Sequence, residues 1–314
     1  GIRDVERSRG LGDVYKRQYV NSVLKGVSKA AEIGYEILKS GGIALDAVEA
    51  AVKELEENPV FNAGYGSALN INGHIEMDAA IMDGRTLNCG AVALAKRIKY
   101  PISLARIIME KTDHVLIAGD FLEKLANKFK IPLEENLISP RSREKWMELK
   151  DKFSKNNLSY LSKNYKLLKE MDMFFDTVGA VAIDSDGNLA AATSTGGLTL
   201  KLPGRIGDTP LIGCGTYADN EGAAISATGI GEHIVKLAVA CRINSLIIQG
   251  LSPTNAIKLV FEVAKRRIPD PQFGVIVIDR NGEIGIGHLT KNLGWAVMTE
   301  KDEKVRAGIK YNLS

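Results

Sequence analysis

The spacing of hydrophobic residues changes repeatedly along this chain and predicts grouped helices and strands. Hydrophobic residues recur at helical spacing over residues 20–38, which precede a Gly-Gly pair, and over residues 44–55, which precede Pro59. Pro101 is suited to the first turn of a short helix. Further helices are predicted over residues 120–129, 232–249 and 253–265.

Hydrophobic runs bounded by turn residues predict the strands. Asn72-Gly73, Asp186-Gly187 and Asn281-Gly282 are tight-turn signals between such runs. The predicted strands cover residues 68–82 as a pair, 89–94, 115–118, 177–184, 189–195, 211–218, 222–228 and the hairpin 274–288. Because strands are grouped with strands and helices with helices, the pattern predicts an α+β fold.

Two segments do not follow this pattern. Residues 1–18 are largely polar and show neither helical nor strand periodicity, so we expect a foreign or disordered segment; the alternative is a natural, divergent tail. Residues 139–169 are crowded with Lys, Glu, Ser and Asn and predict a mobile linker near residues 139–176, with a surface helix in parts of it as the alternative.

Composition narrows the class of protein. The chain has 314 residues, of which 45% are hydrophobic and 25% charged, and this favours one structural domain with a substantial core. A formal net charge of +3 is too balanced to indicate nucleic acid or a membrane surface as partner. There is no hydrophobic run of transmembrane length and no apolar signal core. The three cysteines, Cys89, Cys214 and Cys241, lack the spacing of a metal or redox site. We therefore predict a cytoplasmic location.

The candidate chemistry begins at Thr177, the first residue of an apolar run that follows a long polar stretch. A hydroxyl is a poor nucleophile without an adjacent base, and cleavage between Asp176 and Thr177 would supply one as a new α-amine. The pKa of such an amine is about 8, so a useful fraction is neutral near pH 7. By itself, the same run is also typical of an ordinary buried strand.

Several motifs downstream and upstream of Thr177 favour the catalytic interpretation. They are TSTGG at residues 193–197, GRIGD at 204–208, SATGIGE at 226–232, NPVFNAGYGS at 58–67 and MDAAIMDG at 77–84. In order and spacing the chain resembles plant-type asparaginase/isoaspartyl peptidase, a threonine-dependent branch of the N-terminal-nucleophile hydrolases. The resemblance runs from about residue 19 to the C-terminal region. It implies an αββα sandwich, an α-subunit part over residues 19–176 and a β-subunit part over residues 177–314.

The resemblance also implies a role for each matching residue. Thr177 corresponds to the nucleophile and Thr195 to the threonine whose hydroxyl bonds it, while Thr228 and Gly229 correspond to the oxyanion hole. Arg205 and Asp208 correspond to a clamp for the substrate's carboxylate and ammonium groups, for which a guanidinium and a carboxylate are the matching pair. The two remaining assignments are Gly231, whose carbonyl would help to hold the substrate ammonium, and Asn62, which would brace the nucleophile region. Taken alone, these residues are equally typical of turns, strand ends and a surface ion pair.

No cofactor is required by this interpretation, but the resemblance implies a structural sodium ion. The ion would be held by main-chain oxygens of a loop that includes Leu55, Glu56, Asn58, Phe61, Ala63 and Tyr65. The implied partners are a small-molecule substrate and a second cleaved protomer in a homodimer.

The hypothesis is therefore an autoprocessing amidohydrolase that hydrolyses L-asparagine, β-aspartyl dipeptides or both through a threonyl ester. Two related alternatives are a glycosylasparaginase and a taspase-like endopeptidase. A dinucleotide-binding module is a third, since residues 213–218 read GCGTYA, although a turn and not a helix is predicted after them. An inactive relative is a fourth, because the family usually opens with a strand carrying His-Gly-Gly-Ala-Gly and nothing in residues 1–18 matches it. Loss of that strand would leave a sheet edge unpaired.

Overall fold

The computed structural model describes residues 2–155 and 177–311, with side chains from residue 17 onward. Helices and strands in these ranges form two stacked sheets covered by helices. The α+β class predicted from the sequence is confirmed.

The first sheet has five strands and carries the candidate nucleophile at its edge. Its strands are β1 (Met77–Asp83), β2 (Cys89–Ala95), β3 (Leu116–Ala118), β4 (Val178–Ile183) and β5 (Leu189–Thr195). Their order across the sheet is β3-β2-β1-β5-β4, and every pairing is antiparallel except that of β2 with β3. In the described part of the chain β4 therefore pairs on one side only, with β5.

The second sheet has four antiparallel strands in chain order. They are β6 (Thr216–Ala218), β7 (Ala223–Gly229), β8 (Phe273–Asp279) and β9 (Ile284–His288). A separate antiparallel pair follows, β10 (Trp295–Val297) with β11 (Arg306–Gly308), which the hydrophobic pattern did not predict because each strand is only three residues long.

Eight α-helices are present in the described residues. They are α1 (Ile2–Lys39), α2 (Ala44–Glu57), α3 (Pro101–Lys111), α4 (Phe121–Lys128), α5 (Pro140–Lys155), α6 (Gly231–Leu237), α7 (Val239–Ile248) and α8 (Pro253–Arg267). A single 3₁₀ turn, Gly64–Gly66, follows α2. The apolar faces of α1, α2 and α3 share one core with the five-stranded sheet, and those of α6, α7 and α8 share another with the four-stranded sheet.

The two sheets meet through a smaller apolar cluster made mainly of short side chains: Met82, Leu189, Ala191, Ala218 and Ala224. Alanines on facing strands allow the sheets to approach closely, and close packing of this kind makes the interior sensitive to added volume. The arrangement is the αββα sandwich that the resemblance implied.

Two helices differ from the sequence prediction. The helix expected over residues 232–249 is divided at Ala238, which has left-handed backbone angles (φ 45°, ψ 55°) and separates α6 from α7. Helix α1 begins at Ile2 and not near residue 20, because helix formation requires adequate propensity and does not require an apolar stripe over its whole length. The foreign origin of residues 1–18 stays a prediction.

The polar segment after residue 139 also differs from expectation. Residues 140–155 form helix α5, in which Leu149 and Phe153 are buried, and these anchors fix the first half of the predicted linker to the body of the protein. The second half, residues 156–176 including Asp176, lies outside the described residues.

Among the helices of the described ranges, none is both long enough and apolar enough to span a membrane.

Candidate active site

A single cavity collects most of the residues that the sequence singled out. Asn62, Thr177, Thr195, Arg205, Asp208 and Gly229 all line it. The other lining residues are Gly66, Ala68, Arg141, Ser142, Lys145, Gly197, Leu198, Thr199 and Gly207. Thr228 and Gly231 are chain neighbours of this wall, next to Gly229 in β7 and at the start of α6.

Thr177 and Thr195 are brought together by strand register. Thr177 directly precedes β4 and Thr195 ends β5, and the antiparallel pairing of Val178 with Ser194 places the two threonines at the same end of the sheet. Their hydroxyl oxygens are 3.0 Å apart, and the Gly197 amide donates to the Thr195 hydroxyl at 3.0 Å. Thr195 therefore links Thr177 to the turn that follows β5.

Asn62 holds that turn in place from the opposite side. Its side-chain amide donates to the Gly197 carbonyl at 2.6 Å, its side-chain oxygen accepts from the Ala68 amide at 2.7 Å, and its own carbonyl accepts from the Gly196 amide at 2.9 Å. Two of these bonds hold the glycines after Thr195, and the third ties Asn62 to Ala68. Asn62 therefore contacts the turn that follows Thr195, and its role in bracing the nucleophile region stays a prediction.

Thr228 and Gly229 end β7 beside the cavity. The Thr228 hydroxyl is buried and has no hydrogen-bond partner in the described part of the chain. Buried hydroxyls usually have partners, so an unpaired one beside a cavity fits a group whose partner is a ligand. Gly229 has a φ of 138°, and a β-carbon there would lie 2.5 Å from the Gln272 carbonyl oxygen, so only glycine fits.

Arg205 and Asp208 present opposite charges to the cavity. Arg205 donates from Nε and Nη2 to the two carboxylate oxygens of Glu232, at 2.9 Å each. Asp208 is buried, and one of its oxygens, Oδ2, has no hydrogen-bond partner among the described residues. Burial raises the pKa of Asp208 to about 7.

Gly231 packs against both members of this pair. A β-carbon at Gly231 would lie 2.8 Å from Arg205 Nη2 and 2.9 Å from Asp208 Oδ1. Glycine at the first position of α6 is therefore required by close approach of the two charged groups. This contact brings the GRIGD and SATGIGE motifs together in the structure.

Glu232 and Lys201 belong to the site but were not assigned a role from the sequence. Glu232 orients Arg205, and its place in SATGIGE, one residue after Gly231, was an available signal. Lys201 is buried and donates to the Glu76 carbonyl at 2.5 Å, and burial lowers its pKa. A β-carbon at Gly197 would lie 2.8 Å from its Nζ, so the amine lies directly behind the turn that follows Thr195.

Two buried carboxyl groups support the same turn and loop. Glu56 accepts from the Ser194 hydroxyl at 2.6 Å and from the Ile102 amide at 3.1 Å, and burial raises its pKa to about 8. Asp78 accepts from the amides of Leu94 and Gly207 at 3.1 and 3.4 Å, and burial raises its pKa. Sequence reasoning missed both roles because each depends on residues distant in the chain.

Arg141 and Lys145 were also missed, although they line the cavity from helix α5. The charged composition of their segment predicted a linker. The available signal was the spacing of Arg141 and Lys145, four residues apart and therefore on one helix face, next to the apolar positions Trp146 and Leu149.

The loop after α2 has the geometry of a turn lined with main-chain oxygens. Gly64 lies so close to the Glu56 carbonyl that a β-carbon would be 2.3 Å from its oxygen, and one at Gly66 would be 1.9 Å from the Phe61 oxygen. Carbonyl oxygens are the ligands that hard cations prefer. Those of Leu55, Asn58 and Ala63 already accept amides within the loop, and the sodium ion stays a prediction.

The glycine-rich run at residues 213–218 does not have the context of a dinucleotide site. It leads into strand β6, and a turn at residues 219–222 then leads into β7. A nucleotide fingerprint needs a strand before the glycines and a helix after them.

Comparison with known proteins gave consistent matches. The asparaginase family matches residues 9–307. A plant-type L-asparaginase of Pyrococcus horikoshii is 44% identical over 301 residues, which cover 96% of this chain and 97% of that protein. An isoaspartyl peptidase/L-asparaginase of Danio rerio is 43% identical over 289 residues, covering 91% of this chain and 89% of its own. The corresponding Mus musculus protein is 44% identical over 289 residues, with coverages of 91% and 84%.

Proposed function

The chain belongs to the asparaginase family of hydrolases, and from that premise we propose that it hydrolyses L-asparagine and β-aspartyl dipeptides through an ester on Thr177. The observation that carries the proposal is the joining, in one cavity, of the Thr177–Thr195 hydroxyl pair with the Arg205–Asp208 charge pair. The first pair suits acyl transfer and the second suits an amino acid substrate.

The substrate is recognised by charge. An α-amino acid carries a carboxylate and an ammonium, and the Arg205 guanidinium and the Asp208 carboxylate are complementary to them. Glu232 occupies Nε and Nη2 of Arg205, which directs the guanidinium and leaves Nη1 for the substrate carboxylate. The unpaired Asp208 oxygen accepts from the ammonium, whose positive charge stabilises the ionised form of Asp208.

The reaction then proceeds in two acyl transfers. The Thr177 oxygen attacks the side-chain amide carbon of the substrate, and its proton passes to the Thr177 α-amine. The Thr228 hydroxyl and the Gly229 amide stabilise the negative oxygen that develops, an effect commonly worth a hundredfold or more in rate. Ammonia or an amino acid leaves with the proton from the amine, and water then hydrolyses the β-aspartyl ester, with the amine as base.

This mechanism requires Thr177 to have a free α-amine, so we also propose that the chain cleaves itself between Asp176 and Thr177. Asp176 lies outside the described residues. The proposal is supported by the position of Thr177, which directly precedes β4 with its hydroxyl 3.0 Å from that of Thr195. The products would be an α-subunit part over residues 19–176 and a β-subunit part over residues 177–314.

The remaining parts of the proposal concern the ion, assembly and location. The main-chain oxygens of Leu55, Glu56, Asn58, Phe61, Ala63 and Tyr65 would hold one structural sodium ion. By joining α2 to the loop that carries Asn62, the ion would restrict the movement of Asn62, which donates to the Gly197 carbonyl. No further cofactor is required. The cleaved protomers would form a homodimer in the cytoplasm.

The decisive experiment combines intact-mass spectrometry with hydrolysis assays. The wild-type protein should give two fragments divided between Asp176 and Thr177, and it should release ammonia from L-asparagine and aspartate from β-aspartyl dipeptides. Thr177→Ala should remain a single chain without activity, whereas Thr177→Ser should retain partial cleavage and activity. A Thr177→Ala protein that still cleaved itself would refute the proposal.

Glycosylasparagine and a protein substrate belong in the same assay, since preferential turnover of either would favour the glycosylasparaginase or endopeptidase alternative.

One structural observation favours a second candidate, an unprocessed relative. Strand β4, which follows Thr177 directly, pairs only with β5 in the described part of the chain. An edge strand holds its neighbouring peptide less rigidly than a central strand, and self-cleavage is favoured where the surrounding fold holds the scissile peptide in a strained geometry. A single uncleaved wild-type chain in the mass spectrum would support this candidate.

A further inference from the structure

A layer of small and hydroxyl-bearing residues lies between the two sheets, next to the candidate active site. Gly179 of β4 and Thr193 of β5 are register partners in the five-stranded sheet. Thr216 of β6 and Ser226 of β7 are register partners in the four-stranded sheet. Thr193, Thr216 and Ser226 are at most 5% exposed, so their hydroxyl groups are shielded from solvent. We call these four residues the hydroxyl layer.

Hydrogen bonds within the hydroxyl layer connect the two sheets. The hydroxyl oxygens of Thr193 and Ser226 are 2.8 Å apart, and the Thr216 hydroxyl donates to that of Thr193 at 2.7 Å. Gly179 leaves the space that Ser226 occupies, since a β-carbon at Gly179 would lie 2.0 Å from the Ser226 hydroxyl oxygen. The single hydroxyl of Thr193 thus contacts two strands of the opposite sheet. Because a buried hydroxyl is costly to leave unpaired, such a network holds one geometry.

The reacting groups of the proposed mechanism lie one step from the hydroxyl layer. Two residues away along β4, β5 and β7 stand Thr177, Thr195 and Thr228 respectively. Residues two positions apart share one face of a strand, so these threonines form the next layer toward the cavity. The proposed nucleophile therefore stands on one sheet and the proposed oxyanion-hole hydroxyl on the other. The distance between them depends on how the sheets are joined at this end.

The hydroxyl layer is also connected to the loop that carries the substrate clamp. The Thr216 hydroxyl oxygen lies 3.1 Å from the carbonyl oxygen of Thr209, which directly follows Asp208. The amide of Gly215, the neighbour of Thr216, donates to the Asp208 carbonyl at 3.1 Å. The layer thus contacts the oxyanion-hole strand at Ser226 and the clamp loop at Thr216.

Resting on the proposed function, we propose that Thr193, Ser226 and Thr216 are positioning residues that set how the parts of the site face one another. The contact between Thr193 and Ser226 fixes the distance from the Thr177 oxygen to the Thr228 hydroxyl, on which the rate of acyl transfer depends. A misplacement of about 1 Å caused by a remote substitution can slow a reaction roughly a hundredfold. The contact between Thr193 and Thr216 fixes the clamp loop, on which substrate binding depends.

The test measures kcat and KM for L-asparagine separately, with rates normalised to the cleaved fraction found by mass spectrometry. Ser226→Ala removes the link to the oxyanion-hole strand, so kcat should fall by roughly tenfold or more with KM changed by less than about twofold. Thr216→Val removes the link to the clamp loop, so KM should rise by roughly two- to tenfold with a smaller change in kcat. A general loosening of the interior would not divide the two constants in this way.

Thr193→Val and Thr193→Ser form a matched pair at the centre of the layer. Valine keeps the branched shape and removes the hydroxyl, whereas serine keeps the hydroxyl and removes a methyl group. Valine should lower kcat and raise KM, and serine should retain most of the wild-type activity. This pair decides the question if Ser226→Ala does not fold. Ser103→Ala is the control, since Ser103 is also buried and hydrogen-bonded, to Glu49, but belongs to α3 outside the sheets; it should keep the wild-type constants.

The outcomes separate this inference from the proposed function. Wild-type kcat in Ser226→Ala, or equal losses in Thr193→Val and Thr193→Ser, would overturn the positioning role while the wild-type enzyme continued to hydrolyse L-asparagine. A Ser226→Ala protein that matched Ser103→Ala in denaturation midpoint but no longer cleaved itself would support the role, because self-cleavage uses the same Thr177 oxygen. Failure of the wild-type enzyme to hydrolyse either proposed substrate would overturn the proposed function and this inference together.

Discussion

The hydroxyl of Thr195 lies 3.0 Å from the hydroxyl of Thr177 and also accepts a hydrogen bond from the Gly197 amide. The amide donor increases the acidity of the Thr195 hydroxyl, which favours donation of its proton toward Thr177. Because Asn62 donates to the Gly197 carbonyl, the position of the Thr177 hydroxyl depends on a connected series of hydrogen bonds through Thr195, Gly197 and Asn62.

Removing the Thr195 hydroxyl should therefore reduce turnover more than binding. For Thr195→Ala we expect kcat for L-asparagine to fall by roughly a hundredfold or more, as for other preorganised hydrogen-bond donors, with KM changed only slightly. Thr195→Ser keeps the hydroxyl and should retain most of the activity. Rates must be normalised to the cleaved fraction measured by mass spectrometry. Equal rates for the alanine and serine variants would show that the hydroxyl contact has no catalytic role.

The Glu232–Arg205 pair supports a different prediction, on substrate binding. Arg205→Lys removes the forked donor, and a lysine amine cannot bond both Glu232 oxygens and a substrate carboxylate in the same geometry. Hydrogen bonds to charged groups contribute about 1.5–3 kcal/mol, so kcat/KM should fall by roughly 10- to 100-fold.

Glu232→Gln provides the comparison for that variant. The glutamine side chain keeps one oxygen that can accept from Arg205 but loses the negative charge, so the guanidinium is held less firmly. KM for L-asparagine should therefore rise, and by a smaller factor than in Arg205→Lys. Steady-state kinetics with L-asparagine measures both effects. If the effects on kcat were larger than those on KM in both variants, the assignment of Arg205 to substrate binding would be wrong.

Much of this site could be predicted from sequence because its parts lie in short motifs. Thr195 and Gly197 belong to one turn, and Arg205 and Asp208 to one loop, so local residue order already fixes which groups face the cavity. The Thr177–Thr195 contact follows from the hairpin signal at Asp186-Gly187, which sets the register of β4 and β5.

The supporting contacts could not be predicted in the same way. Glu56 meets Ser194 across 138 positions of sequence, and Asp78 meets Gly207 across 129, and no local pattern encodes such pairings. Helix α5 was missed for another reason. Its charged surface gives the composition of a linker, whereas its attachment depends on a few positions, of which Leu149 and Phe153 are the most buried.

The binding of amino acids should depend on pH through Asp208. Burial raises the pKa of this carboxyl to about 7, so in the free protein it is protonated at pH 5.5 and ionised at pH 8.5. The ammonium group of an amino acid favours the ionised form, so affinity should increase as pH rises toward 7 and level off above it. Below the pKa the limiting dependence is about tenfold in Kd per pH unit.

Calorimetric titration with L-aspartate, the expected product, measures this dependence. L-aspartate keeps both carboxylates ionised and its ammonium protonated between pH 5.5 and 7, so its own ionisation does not contribute there. Asp208→Asn should bind L-aspartate weakly with an affinity that does not change over this range. A wild-type Kd that stayed constant between pH 5.5 and 7 would contradict a raised pKa at Asp208.

The last prediction concerns the attachment of α5, the helix that contributes Arg141 and Lys145 to the cavity wall. Leu149 is 3% exposed and Met147, two residues earlier on the same helix, is 58% exposed. Leu149→Ala removes a buried side chain and should lower the free energy of unfolding by about 2–5 kcal/mol, or locally release the helix. Met147→Ala is the matched control and should change stability by less than about 0.5 kcal/mol. Both substitutions introduce alanine, so intrinsic helix propensity does not separate them.

Chemical denaturation and limited proteolysis together distinguish the two ways in which Leu149→Ala can act. A lower denaturation midpoint with protection retained over residues 140–155 would mean that α5 stays docked in a less stable protein. New cleavage sites within α5 at an unchanged midpoint would mean local release of the helix that contributes Arg141 and Lys145 to the cavity wall. Identical behaviour of Leu149→Ala and Met147→Ala in both measurements would show that α5 is not fixed by its buried face.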